Sequence, residues 1–70
     1  MNGVMLVDKI RDRGLKLGFV AERIGITRSC LSLKIGGKTE FRLSEVSKLA
    51  ELLDLCDGEI ISIFFTSRVD

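Results

Sequence analysis

Residues 20–32 read Val20-Ala21-Glu22-Arg23-Ile24-Gly25-Ile26-Thr27-Arg28-Ser29-Cys30-Leu31-Ser32. A small residue, Ala21, stands four positions before Gly25, and Gly25 divides two short amphipathic runs, neither long enough to fold alone. Two helices that cross steeply at a short turn bring their backbones together, so only a small side chain fits at the crossing, and Ala21 is placed there. Gly25 falls just past the last apolar residue of the first run, where a helix commonly ends in a left-handed residue that glycine adopts without steric cost. The chain then reverses through Gly25 and Ile26. Thr27 is placed to cap the next helix through its hydroxyl, and Leu31 and Ile35, four residues apart, give that helix one apolar edge. The spacing predicts a helix-turn-helix. Its free edge carries Arg28, Ser29, Ser32 and Leu33, a set of donors, acceptors and one apolar surface that suits reading base edges in a groove.

Outward from this unit, the periodicity predicts five helices. The first runs from about Val4 to Arg13 with Val4, Val7 and Ile10 on one face, and Gly14 is placed to end it. The second covers about Lys16 to Ile24, where Leu17, Val20, Ala21 and Ile24 form an i, i+3, i+4, i+7 stripe. The third covers about Arg28 to Ile35. Gly36-Gly37-Lys38-Thr39 is a loop by composition, and Ser44 is expected to cap a fourth helix whose stripe, Val46, Leu49, Ala50 and Leu53, repeats the spacing of the second. Asp57 opens a fifth helix to about Phe65. Ile60, Ile61, Ile63, Phe64 and Phe65 favour β structure, which leaves a short terminal strand as the alternative for that segment.

Seventy residues make one domain, 1–70, all-α, with the helix-turn-helix of the second and third helices at its centre. A chain of this size buries only ~60% of the surface its unfolded form exposes, so its stability is modest. The composition is 46% hydrophobic and 30% charged, without proline or tryptophan, which suits a helical globule and argues against disorder. The apolar run Ile60 to Phe65 is too short to span a bilayer, and Val4 to Val7 cannot serve as a signal core, so a cytoplasmic protein with no membrane role is expected. At this length no small-molecule effector module is expected.

A formal net charge of +1 conceals a division along the chain. Between residues 13 and 42 stand seven cations (Arg13, Lys16, Arg23, Arg28, Lys34, Lys38, Arg42) against two anions, Glu22 and Glu40. From residue 43 onward, Lys48 and Arg68 face Glu45, Glu51, Asp54, Asp57, Glu59 and Asp70. The positive charge thus coincides with the helix-turn-helix, as a footprint on phosphate requires, and the acidic half is expected to face away. For Arg23 and Arg42, solvated charges that keep the surface soluble are an equally good reading.

Catalysis finds no equipment. Histidine is absent, Cys30 and Cys56 lie in different elements with no metal spacing, and no glycine-rich phosphate loop or paired carboxylates appear. No metal and no cofactor is expected, and the cysteines read as reduced thiols used as small side chains.

With these residues in place, the chain resembles the lambda-repressor-like family, the Cro and repressor helix-turn-helix proteins of phages and bacteria. The resemblance rests on Val20, Ala21, Gly25, Ile26, Thr27, Arg28, Ser29 and Leu31 in register. It implies a regulator that binds double-stranded DNA sequence-specifically, with the third helix in the major groove and Thr27, Arg28, Ser29, Ser32 and Leu33 as base contacts. Arg28 is placed to grip guanine O6 and N7 with two hydrogen bonds, and Leu33 either packs on a thymine methyl or tucks against a neighbouring helix. Lys16, Lys34, Lys38 and Thr39, with the amides at the start of the second helix, become phosphate contacts. Where the family often has a polar cap and a glutamine, this chain has Lys16, Leu17 and Gly18, so that contact is either lost or taken over by Lys16.

A fifth helix of this composition is apolar nearly all round, which marks Ile61, Phe64 and Phe65 as the candidate homodimer interface; the alternative is that the helix simply closes the core. A twofold dimer would set two recognition helices one DNA turn apart, ~34 Å, and call for a palindromic operator. The rival function is a protein-binding module on the same frame, of antitoxin or antirepressor type, without strong DNA binding.

Overall fold

Asn2 opens the first helix by accepting the Met5 N–H on its side-chain oxygen at 3.1 Å. In the computed structural model, which describes residues 1–65, five helices follow in order: α1 (Gly3–Asp12), α2 (Leu17–Ile24), α3 (Arg28–Ile35), α4 (Leu43–Leu53) and α5 (Asp57–Phe64). The fold is all-α. The segment at 60–65 is helical, not a strand: Glu59 reaches back to the Cys56 N–H at 3.0 Å and fixes the first turn, while Ile63 is buried completely.

The helix-turn-helix forms as its residues dictate. Gly25 closes α2 at φ +86° and donates to the Glu22 carbonyl at 3.2 Å, and Ile26 donates to Ala21 at 2.9 Å. Thr27 stands extended, and its hydroxyl oxygen accepts the Cys30 N–H at 3.1 Å to start α3. Ala21 is 1% exposed where α2 packs on α3, and α2 packs on α4 as well. Leu6, Ile10, Val20, Ala21, Ile24, Leu31, Leu49, Leu53 and Ile63 form one continuous core, with Leu17, Ile26, Ile35 and Phe41 packed around it.

Two expectations are corrected. The core face of α1 is Leu6 and Ile10, whereas Val4 is 74% exposed and Val7 only half-buried. Four consecutive apolar residues at 4–7 let periodicity point several ways, and tertiary ties make the choice. The Asn2 N–H donates to the Ile63 carbonyl at 2.7 Å, and Gly3 lies so close to the Ile35 carbonyl that a Cβ there would fall under 3.0 Å from it. Ser44 does not cap α4 either. Arg42 holds the extended cap position and its N–H donates to Glu45 Oε1 at 2.8 Å, so Ser44 lies inside the first turn.

Candidate nucleic-acid interface

Thr27, Arg28, Ser29, Ser32 and Leu33 all remain exposed, while Leu31 between them is fully buried. The buried edge holds α3 to the core and leaves its other side free along its whole length. Arg28, Ser29, Ser32, Leu33, Gly36 and Lys38 line an open hollow of about 450 Å³ on that side. Leu33 is 47% exposed there, so it presents its apolar surface outward and is not tucked against a neighbouring helix. The Thr27 oxygen is engaged in the cap, which leaves its O–H as a donor. No acidic side chain occupies the first turn of α3.

The expected phosphate contacts separate into two kinds. Lys38 and Thr39 stand exposed in the loop after α3, where Gly37 at φ +82° turns the chain and the Lys38 N–H donates to Leu33 at 2.9 Å. Lys16 is exposed at the head of α2 and makes no capping hydrogen bond of its own. Lys34 is different: its side chain is only 12% exposed, and its ammonium is 3.3 Å from the Glu45 carboxylate and 2.9 Å from the Glu40 carbonyl oxygen, to which it donates. It also lies 5.9 Å from the centre of the Phe41 ring. Lys34 therefore binds the loop and α4 to α3.

Glu45 is the buried charge on which this arrangement turns. Burial pushes its carboxyl upward, but the Arg42 N–H and the Lys34 ammonium outweigh that and hold it below the usual carboxylate range. Nothing in residue spacing pairs Lys34 with Glu45, so the sequence pattern alone left Lys34 among the free cations. Arg13 is likewise engaged, 3.5 Å from Asp54, and Arg23 lies 6.0 Å over the Phe19 ring on the same face of α2.

At the end of α5, which shares a hollow with Gly37, Thr39 and Glu40 of the loop after α3, Ile61 and Phe65 are 58% and 56% exposed, and Phe64 is half-buried in an edge-to-face contact with Phe41 at 5.5 Å. Phe64 and Phe65 line a hollow of about 370 Å³ with Met1, Leu43 and Val46. Leu43 is 75% exposed beside them. Glu59 ties α5 to α1 through Lys9; this partner, with the Cys56 N–H, holds the Glu59 carboxyl down at about 2, and the same contact raises Lys9.

Cys30 and Cys56 are both exposed free thiols. Among the described residues no helix is long and apolar enough to cross a membrane. A family profile described as Cro/C1-type HTH DNA-binding domain matches residues 6–65. No curated protein and no solved structure matches the chain.

Proposed function

The chain belongs to the Cro/C1-type HTH DNA-binding domains, and from that premise we propose that it is a sequence-specific transcriptional regulator that lays α3 in the major groove of double-stranded DNA. The observation that carries the reading is the exposed outer side of α3, where an arginine, two serines and a leucine surround an open hollow above the buried Leu31. In this role Arg28 takes a guanine edge, Leu33 a thymine methyl, and Thr27, Ser29 and Ser32 supply smaller contacts. Five residues at 1.5 Å each separate Arg28 from Leu33 along the helix, so the two read base pairs about two steps apart. Lys16, Lys38 and Thr39 hold phosphates and set register.

We further propose that residues 1–70 act as one domain and pair through the apolar end at Ile61, Phe64 and Phe65, which places two copies of α3 on a palindromic site. The exposure of Phe65 beside Leu43 supports this pairing. Sedimentation equilibrium should show mass rising toward a dimer with concentration, and Phe65→Asp should return the monomer without unfolding it.

The test of function is selection from a random duplex pool followed by titration of variants. Arg28→Ala should lower affinity for the selected duplex and relax preference at one base pair, by ~1–3 kcal/mol of discrimination. Lys38→Ala should weaken all duplexes about equally and reduce the salt slope by about one. Binding insensitive to ionic strength, or no duplex recovered, would leave the frame to the rival protein-binding role.

A further inference from the structure

A positive φ or a close backbone approach accounts for four of the seven glycines of this chain; Gly18, Gly36 and Gly58 answer to neither, and of these three Gly18 alone would set a Cβ within 4 Å of another element. Gly14, Gly25 and Gly37 sit at positive φ, and Gly3 is forced by the approach of the Ile35 backbone. Gly18, second residue of the eight-residue α2, has ordinary helical backbone, where glycine weakens a helix and no turn asks for it. Beyond its own helix and chain neighbours, one atom comes within 4 Å of where its Cβ would stand: Cδ of Arg28, at 3.8 Å.

We infer that Gly18 is a positioning residue for Arg28, its missing side chain forming a seat on α2 for the arginine stem; this rests on the DNA-reading function proposed above. Side chains lean toward the amino end of their helix, so Arg28, first in α3, runs back over the start of α2. A bidentate grip on a base needs the guanidinium in one plane, and an arginine loose on an open surface samples many. The seat on Gly18 fixes the stem while leaving Arg28 on the rim of the hollow with Ser29, Ser32 and Leu33. A methyl at position 18 would meet Cδ at ordinary contact distance, whereas a longer side chain competes for the stem's space.

Gly18→Gln and Gly18→Leu test this on the selected duplex and its single base-pair variants. Both should lose about tenfold in affinity, concentrated at the base pair that Arg28→Ala relaxes, with the salt slope unchanged and no further loss when Arg28→Ala is added. Gly18→Ala should keep the preference. Discrimination as in the wild type, an equal loss at every base pair, or losses that add to those of Arg28→Ala would overturn the seat. Glutamine, a good helix former, keeps the experiment usable where leucine perturbs folding. In the protein without DNA, the order parameter of the Arg28 Nε–H should fall from wild type to Gly18→Gln, and an unchanged value also overturns the seat. A wild type that shows this ordering yet binds no duplex would remove the regulatory function and leave the seat standing.

Discussion

At Gly3 a single hydrogen atom decides whether α1 can reach the end of α3. An added methyl must displace the Ile35 carbonyl, which is backbone and cannot swing aside, so Gly3→Ala should destabilise by about 2 kcal/mol, read as a lower urea midpoint at unchanged slope. Gly18→Ala should have the opposite sign, about 0.5 kcal/mol of stabilisation, because its backbone is ordinary and its space is open to one methyl. A loss of stability there would mean that the start of α2 is not the regular turn described. The contrast shows what residue-scale reading recovers. Gly25 and Thr27 declared their roles because turn and cap are satisfied within five residues of chain. Gly3 did not, since its reason lies on Ile35, and Val4 misled because three apolar neighbours compete with it for the same face.

Between elements, the joints are polar and come from residues far apart in sequence. Lys34 and Glu45 join α3 to α4 with side chains 12% and 9% exposed, so Lys34→Ala strands a buried carboxylate and should cost about 3 kcal/mol. The double change Lys34→Met with Glu45→Gln, which keeps an acceptor for the Arg42 N–H, should recover most of that, and its affinity for DNA should stay within about twofold of wild type if the ammonium faces inward as described. A large and uniform loss of binding would return Lys34 to the phosphates. The Lys9–Glu59 joint of α1 and α5 sets a pH window instead. The Glu59 carboxyl, held down at about 2, contributes stability present above its ordinary value of about 4.3 and lost as pH falls toward 2. Lys9, raised, contributes below its ordinary value of about 10.4 and loses that as pH climbs past it. The thermal midpoint should therefore drop on acidification between about pH 4.3 and 2, and drop less in Glu59→Gln; equal drops would detach this joint from acid sensitivity. Element existence was legible from periodicity, and α3 begins and ends where the spacing placed it. The start of α4 was not, because an arginine backbone satisfied by Glu45 displaces the residue type that normally caps.

For the whole molecule, counting cations overstates the grip on DNA. Of the seven between residues 13 and 42, Lys34 and Arg13 already face carboxylates; of the five others, Lys16 and Lys38 are the phosphate contacts of the proposal and Arg28 its base reader. The logarithm of affinity should accordingly fall against the logarithm of salt with a slope of about −2 per protomer, measurable by anisotropy; a slope near −4 would recruit Arg23 and Arg42 as well. One tie has a topological consequence. The Asn2 N–H rests on the Ile63 carbonyl at 2.7 Å, so the path of residues 2–63 closes into a ring whose seam is a hydrogen bond. Circular permutation should then be tolerated: a short bridge from Phe65 to Asn2, with new ends cut at exposed Gly14, keeps α2, the turn, α3 and its loop on one uninterrupted stretch. Such a rewired protein would fold with the seam made covalent, and fraying at that corner would no longer release α1 and α5 together.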